Sequence, residues 1–305
     1  MRSKRDHTFV FWLFLSPVVF AFLMVVVVPF VLGIYYSFTD WSSSPRDGAG
    51  VQFVGFLNYA KSFADPTFLY SFCITALYTI VNMAVVNVVA FALALFVTSR
   101  IPGRNFFRAG FFVPNLIGGL ILGYIWQFIF NSAIPNLGAL LGIKAWSDPA
   151  NLLLAKSVPA LFAIVIAGTW QYAGYIMMIY VAAIENVPIE LHEAAQIDGA
   201  GPLRRLFAIT LPMASQAFTI TLFLTLVNSF KQFDVNISLT SGGPSTMFMG
   251  KAIYGTELLA MNIYNAAFVS NDLAMGQARA VIFFVVLAVI ATIQVGANKK
   301  KEIEL

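Results

Sequence analysis

The sequence predicts an all-α membrane protein with six transmembrane helices, and three observations support this fold class. Hydrophobic residues make up 59% of the 305 residues and charged residues only 10%, with a mean hydropathy of +0.81. Six apolar stretches approach the length of about 20 residues that a helix needs to cross a bilayer. None of them shows the alternating polarity of a β-barrel strand. These features exclude a disordered chain, a nucleic-acid-binding domain and an ordinary soluble enzyme.

The six apolar stretches are separated by polar segments rich in turn-forming residues. In chain order they are Phe9–Phe38, Phe68–Thr98, Ala109–Phe130, Val158–Ile184, Ala214–Phe230 and Gly276–Ala297. The first stretch follows basic residues, as a secretory signal would, but it exceeds the roughly 7–15 apolar residues of such a signal, so we expect a retained span. We expect an N-terminal part with the first span and outer loop (residues 1–66), a five-span core (67–297) and a tail (298–305).

The distribution of basic residues predicts the orientation of the helices. Six spans place both termini on one side, which carries eleven of the 18 Lys and Arg residues, whereas the opposite loops carry six. The eleven are Arg2, Lys4, Arg5, Arg100, Arg104, Arg108, Arg204, Arg205, Lys299, Lys300 and Lys301. The six are Arg46, Lys61, Lys144, Lys156, Lys231 and Lys251. By the positive-inside rule, we expect both termini to be cytoplasmic.

The cytoplasmic loop 185–212, between the fourth and fifth spans, is predicted to form a helix, a break and a second helix. Pro188 suits the first turn of a helix ending at Ile197, whose positive dipole end favours the early acidic residues. The run 198–202, Asp-Gly-Ala-Gly-Pro, stops that helix. A second helix, Leu203–Ile209, then leads to Pro212 at the start of the fifth span. We call this loop the elbow.

The composition of the elbow leaves two interpretations open. Four of its positions, Ala194, Ala195, Gly199 and Ala200, carry little or no side chain. Small residues let another backbone approach closely, which would suit a contact that transmits motion between subunits. Alternatively, the elbow is an interfacial amphipathic helix that only caps the bundle.

The elbow resembles the "EAA" signature of inner-membrane permease subunits of ABC importers. Glu193-Ala194-Ala195, Gly199 and Ile209-Thr210-Leu211-Pro212 match that signature in residue type and spacing. The extended run Pro188–Ala200 is similar to the carbohydrate-uptake branch, which includes the maltose- and glycerol-phosphate-type permeases. Two further segments, Phe38–Trp41 and Phe53–Tyr59, look like the N-terminal half of the first permease of the pair in such systems. Two others, Leu239–Pro244 and Ile263–Phe268, are similar to the family's outer loop after the fifth span.

The resemblance implies a type I ABC importer permease fold in a bacterial or archaeal inner membrane. It implies a second homologous permease subunit, two ATPase subunits that bind ATP and Mg, an extracytoplasmic solute-binding protein and surrounding membrane lipid as partners. No cofactor or nucleic acid is expected on this chain. The residues implied to couple the elbow to an ATPase are Glu190, Glu193, Ala194, Ala195, Asp198, Gly199, Ala200, Ile209 and Pro212.

The chain is not expected to be an enzyme by itself. ATP hydrolysis needs a glycine-rich loop of the form G-x-x-x-x-G-K-[S/T], and Gly250-Lys251 lacks the earlier glycine and is followed by Ala252. His7, His192 and Cys73 have no metal-ligand spacing, so no metal site is expected.

Polar and aromatic residues within the fourth and fifth spans are the candidate contacts for a solute. A sugar requires hydrogen-bonding side chains and aromatic faces, which here are Trp170, Gln171, Tyr172, Tyr175, Thr221, Thr225, Asn228 and Gln232. Any of them could instead join helices, at about 0.6 kcal/mol each. The spans contain almost no ionisable residues, which favours an ATP-driven importer over the alternative, an ion-coupled carrier or facilitator.

Overall fold

The computed structural model describes residues 4–42, 51–99 and 101–299. It does not describe Arg2, Arg46, Arg100, Lys300 and Lys301 of the orientation argument, nor the turn-rich run 43–50. Four described helices are long and apolar enough to cross a membrane, and the number rises to as many as six if each of two bent helix pairs counts as one span.

The four unbroken helices correspond to the first, second, fourth and sixth predicted spans. Helix α1 comprises Lys4–Phe22 and Val28–Tyr36, joined by a π-helical turn at Leu23–Val27. The others are α3 (Pro66–Thr98), α7 (Ser157–Glu185) and α13 (Leu273–Lys299), and the short helix α2 (Leu57–Ala64) precedes α3. Each begins and ends within a few residues of its apolar stretch, because about 20 apolar residues in succession fix both the type and the length of the element.

The third predicted span, Ala109–Phe130, is not one continuous helix. Helix α4 (Arg104–Phe112) runs into a 3₁₀ turn at Val113–Leu116, and α5 begins at Gly119 after a bend of 99°. Pro114 has no backbone N–H, and Ile117 and Gly118 are extended, so the helical hydrogen-bond ladder is interrupted there. Helix α5 (Gly119–Phe128) continues through a π-helical turn, Ile129–Ala133, into Ile134–Leu140.

The fifth predicted span is preceded by a second bend. The second arm of the elbow, α9, comprises Pro202–Arg205, a π-helical turn Leu206–Thr210 and Leu211–Met213, so Pro212 lies inside it. Helix α10 (Ser215–Phe230) follows at 69°. The first arm, α8, is Ile189–Ile197, within one residue of its expected start.

The loops beyond α5 and α10 contain the remaining elements. After α5 come α6 (Lys144–Ser147) and a 3₁₀ turn, Pro149–Asn151; after α10 come α11 (Asp234–Thr240), strands β1 (Ser245–Phe248) and β2 (Lys251–Tyr254), and α12 (Leu259–Tyr264) with the π-helical turn Asn265–Val269. The strands pair antiparallel, with Ser245 opposite Tyr254 and Phe248 opposite Lys251. The expectation of an all-helical chain therefore misses this hairpin.

The chain divides into two compact units, Met1–Asp65 with Ile263–Phe284, and Pro66–Asn262 with Val285–Leu305. In the first, the segments Phe38–Trp41 and Phe53–Tyr59 meet. The Asn58 side chain donates hydrogen bonds to the carbonyl oxygens of Ser37 and Thr39.

The second unit has two hydrophobic clusters, which lie on opposite parts of α3 and α7. One includes Tyr78, Leu122, Ile164 and Leu239, so α5 and α11 join α3 and α7 there. The other includes Val86, Ala173, Ile176 and Ala217, which brings in α10. The predicted solute-contacting residues lie on α7, on α10 and just beyond the end of α10, all in this unit.

Candidate functional site

A narrow cavity lies between α3, α7 and α10, and half of the predicted solute-contacting residues line it. Its lining residues are Tyr78, Asn82, Val86, Gly168, Tyr172, Thr225, Asn228 and Gln232. The sequence predicted four of these eight, Tyr172, Thr225, Asn228 and Gln232. The lining includes three side-chain amides, one hydroxyl group and two tyrosine rings. Such groups bind sugars through hydrogen bonds and aromatic faces.

Several polar groups of the cavity have no partner within the described part of the chain. The Asn82 amide nitrogen donates to the Ser229 hydroxyl at 2.8 Å, whereas its oxygen Oδ1 is buried and accepts no hydrogen bond. Among the described residues, the side chains of Asn228 and Gln232 make no hydrogen bond either. Because an unpaired buried polar atom costs about 1–3 kcal/mol, the Asn82 oxygen is available to a polar ligand or water, and the amides of Asn228 and Gln232 are half-buried beside it.

Gly168 leaves open the space in front of these groups. A Cβ atom at this position would lie 3.4 Å from the Tyr78 hydroxyl and 3.5 Å from the Asn82 oxygen, which are ordinary contact distances. Tyr78 and Gly168 were not predicted from the sequence, because each stands inside an apolar run and only the helix packing brings them together.

Two of the predicted contacts belong to a buried hydrogen-bond chain between helices. The Thr221 hydroxyl donates to the Tyr180 hydroxyl at 2.7 Å, and Tyr180 donates to the Asn87 oxygen at 2.8 Å. The Asn87 amide nitrogen then donates to the Thr225 hydroxyl at 2.9 Å. Thr221 is fully buried, so its geometry favours the helix-joining interpretation, whereas Thr225 also lines the cavity.

The three other predicted contacts lie outside the cavity. Gln171 donates a 2.8 Å hydrogen bond to the carbonyl oxygen of Ile117, at the break between α4 and α5. Trp170 is half-exposed and meets the edge of the Trp126 ring. Tyr175 lines a separate, almost wholly apolar groove beside Arg108. Gln171 thus satisfies a backbone carbonyl at the broken helix instead of offering a free amide to a solute.

The elbow is a sharp corner closed by backbone hydrogen bonds. The Ala200 amide donates to the Ala195 carbonyl oxygen at 2.8 Å, and the Gly199 amide donates to Gln196 at 3.0 Å. Gly199 has φ +75°, and no other group lies within 4 Å of the point where a Cβ atom would stand. The corner therefore needs glycine for its backbone conformation and leaves open space around it.

The surface of the elbow is exposed over both polar and apolar positions. Glu190, Glu193, Ala194, Asp198 and Gly199 are exposed, and Ala195, Ala200, Ile209 and Pro212 are half-buried. Ile197 is 88% exposed and Leu203 is 71% exposed. The elbow therefore does not bury these apolar side chains against the rest of the chain.

A groove of mixed polarity separates the elbow from the end of α3. Leu95, Thr98 and Ser99 line one side, and His192, Glu193 and Arg205 are among the residues on the other. Beside this groove, Glu185 at the end of α7 forms an ion pair with Arg108 of α4. Arg108 also donates a hydrogen bond to the carbonyl oxygen of Val97 at 3.3 Å, so three helices meet at one guanidinium.

Known proteins are similar to this chain over nearly its whole length. The probable starch degradation products transport system permease protein AmyD of Thermoanaerobacterium thermosulfurigenes is 40% identical over 298 residues, covering 97% of this chain and 96% of that protein. The trehalose/maltose transport system permease protein MalF of Thermococcus litoralis is 30% identical over 279 residues, covering 90% and 89%.

Solved structures show the same fold. A bacterial ABC transporter involved in the import of the acidic polysaccharide alginate matches with a TM-score of 0.79 at 19% identity, over 97% of this chain and 96% of the matched chain. A family model, described as the binding-protein-dependent transport system inner membrane component, matches residues 7–301. This chain therefore belongs to the family of inner-membrane components of binding-protein-dependent transport systems.

Proposed function

We propose that this chain is the permease subunit through which a sugar enters the cell, in an importer driven by ATP hydrolysis on separate subunits. The observation that carries the proposal is the family match over residues 7–301 together with relatives named for starch degradation products and for trehalose and maltose. The polar cavity between α3, α7 and α10 supports a carbohydrate as the solute, because its free amides match hydroxyl groups.

The proposal includes six membrane crossings with both termini in the cytoplasm. Each bent pair, α4 with α5 and α9 with α10, then counts as one crossing. This arrangement leaves the basic residues Arg104, Arg108, Arg204 and Arg205 on the cytoplasmic side. It also puts the elbow in the cytoplasm and the β-hairpin on the opposite face.

The elbow is proposed to dock on an ATPase subunit that binds ATP and Mg. Its exposed apolar residues and its almost side-chain-free corner support this role, since a protein partner would cover Ile197 and Leu203 and approach Gly199 closely. Closure of the ATPase pair would displace the elbow and rock the helices between inward- and outward-facing states. A second permease subunit completes the pathway, and a solute-binding protein delivers the sugar from outside.

The solute pathway is proposed to run along the side chains of Tyr172, Thr225, Asn228 and Gln232. The cavity between them is about 10 Å³ in this conformation, so a sugar passes only when the helices move apart. The unpaired oxygen of Asn82 and the open space at Gly168 extend this surface along α3 and α7. A passing sugar would exchange its hydrogen bonds with water for hydrogen bonds to these groups, one after another, without binding tightly to any of them.

Reconstitution tests the proposal against an ion-coupled carrier. Proteoliposomes containing this chain with its ATPase, second permease and binding protein should take up labelled maltotriose only when ATP is supplied. Omitting ATP or the binding protein from the same vesicles is the control. Uptake by this chain alone, driven by a proton or sodium gradient, would instead establish the carrier.

A further inference from the structure

Asp234 is a carboxylate beside the cavity that belongs to none of the predicted sites. It is the first residue of α11 and follows Gln232, which lines the cavity, by two positions. Its side chain is exposed, and within the described residues it forms no ion pair. Along the chain, Asp234 therefore adjoins the end of the cavity that Gln232 lines.

The position of the carboxylate is fixed by the broken third span. An added Cβ on Gly119, the first residue of α5, would meet the Asp234 Cβ at 2.7 Å and its Oδ2 at 3.3 Å. The side chain therefore rests on the beginning of α5, where the helix dipole favours a negative charge. Glycine at 119 permits this approach, and Gln171 holds the neighbouring Ile117 by its carbonyl oxygen.

The cavity itself offers nothing to balance this charge. All eight lining residues are neutral, and no Lys, Arg or His is among them. Lys231 is exposed at the end of α10 and is the nearest cation along the chain, but it neither lines the cavity nor pairs with Asp234 in the described structure. A charge without a paired cation acts over about 8 Å at physiological ionic strength, and Gln232, two residues before Asp234, lines the cavity.

We infer that Asp234 gives one end of the solute pathway a fixed negative potential, so that the importer passes uncharged carbohydrates and disfavours anionic ones such as uronates and phosphate esters. This inference rests on the proposed function and narrows its substrate class. The distinction between neutral and anionic solutes is relevant because one solved transporter of this fold is involved in the import of an acidic polysaccharide.

The potential can be measured without knowing the sugar. A reporter cysteine replaces Asn228 in a Cys73→Ser background, and the complete transporter is treated in membranes with two methanethiosulfonate reagents, one trimethylammonium and one sulfonate. Each reagent transfers its thioalkyl group to the thiolate and releases a sulfinate, so they differ mainly in charge. The ratio of their rates, divided by the same ratio for a free thiol in solution, cancels changes in thiolate content and reports the local potential.

We expect the cationic reagent to be favoured, and Asp234→Asn to lower the ratio by about fivefold, the size of effect that one charge at about 5–10 Å produces in a water-like medium. Asp234→Glu keeps the charge and should keep the ratio. Lys231→Gln should change the ratio much less than Asp234→Asn.

Two results overturn the inference. A ratio unchanged by Asp234→Asn shows that the carboxylate does not reach the pathway, and a rise on Lys231→Gln as large as the fall on Asp234→Asn shows that the two charges cancel. A third result would contradict the proposed pathway itself and not the role of Asp234. If cysteines at 228 and 232 react with neither reagent in any nucleotide state, these residues do not line an aqueous path.

Discussion

Asn82 shows how one side chain can join two helices and still offer a free polar atom to the cavity. Its nitrogen joins α3 to α10 through Ser229, while its oxygen remains buried and unbonded. Thr225 is similar, since it accepts a hydrogen bond from Asn87 and also lines the cavity. The alternatives of helix joining and solute contact are thus not exclusive at these residues, because a carboxamide or hydroxyl has more than one bonding position.

Gly168→Ala is a test of the cavity at the level of one methyl group. Because the added carbon would make ordinary contacts of 3.4 and 3.5 Å, the protein should fold with an unchanged thermal midpoint in detergent. The methyl would cover the Asn82 oxygen and the Tyr78 hydroxyl, and the loss of one solute hydrogen bond should slow ATP-driven maltotriose uptake by about twofold to tenfold. Full uptake by this variant would argue against a solute path at Gly168.

At the scale of elements, the packing of α4 against α7 depends on a glycine at the contact. An added Cβ on Gly174 would lie 1.8 Å from the carbonyl oxygen of Phe111, a distance that no side-chain carbon tolerates. The contact is backbone against backbone, so relief requires one of the helices to move. Gly123 plays the same part for α5, where Ser238 of α11 occupies the corresponding space.

Gly174→Ala should therefore destabilise the protein by about 1–3 kcal/mol, as overpacking does in close-packed interiors. Thermal unfolding in detergent measures the effect as a fall in midpoint. Gly110→Ala is the matched control, since Gly110 lies in α4 with no atom within 4 Å of the added carbon. Equal midpoints for the two variants would show that α4 and α7 do not meet in this way.

The elbow offers a second matched pair of glycines. Gly199 has φ +75°, whereas Gly201 is extended at φ −67°, and neither has an atom within 4 Å of an added carbon. Gly199→Asp should leave the protein in the membrane but uncouple ATP hydrolysis from uptake, because the corner would be strained and would present an unpaired carboxylate to a close protein contact. Gly201→Asp should retain more coupling.

The ratio of sugar imported to ATP hydrolysed, measured in the complete transporter, distinguishes these outcomes. Membrane yield of each variant is the control for folding. Normal coupling in Gly199→Asp would remove the elbow corner from the proposed ATPase contact.

These elements also show what could be predicted from sequence and why the rest could not. Unbroken apolar runs predicted α1, α3, α7 and α13 closely, because length and hydropathy are properties of the run alone. The bend at Ile117 was missed because the carbonyl oxygen of Ile117 is held by Gln171, a residue distant in the chain. The hairpin after Pro244 was missed although its pairing is local, because each of its strands has only four residues and carries too short a pattern to identify.

Sequence spacing predicted only part of the candidate site, because it does not show which residues of other helices lie opposite. Spacing along α10 identified Thr225 and Asn228, which share a helical face, but it could not show that Tyr78 and Gly168 oppose them across the cavity. The same spacing included Thr221, whose hydroxyl the structure places against Tyr180. The coupling role of the elbow residues stays a prediction.

At the scale of the whole molecule, the two bent pairs decide how many times the chain crosses the membrane. If α9 and α10 together form one crossing, the elbow and the β-hairpin lie on opposite faces. If they do not, both lie on one face. Labelling two exposed positions distinguishes these topologies. They are Gly201 in the elbow and Met247 in β1, which is 67% exposed.

In a Cys73→Ser background, Met247→Cys should react with an impermeant maleimide applied to intact cells or right-side-out vesicles. Gly201→Cys should react only after the membrane is permeabilised. Fluorescence of the labelled band on a gel is the measurement, and the cysteine-free chain is the blank. Labelling of both positions from outside would exclude the proposed six-crossing topology.

Arg108 has a mechanical consequence that follows from its two contacts. The guanidinium connects Glu185, the last residue of α7, to the middle of α4 and to Val97 near the end of α3. The elbow begins only a few residues beyond Glu185. If the elbow receives the ATPase movement as we propose, these two contacts would carry a displacement of the elbow into α3, α4 and α7 together.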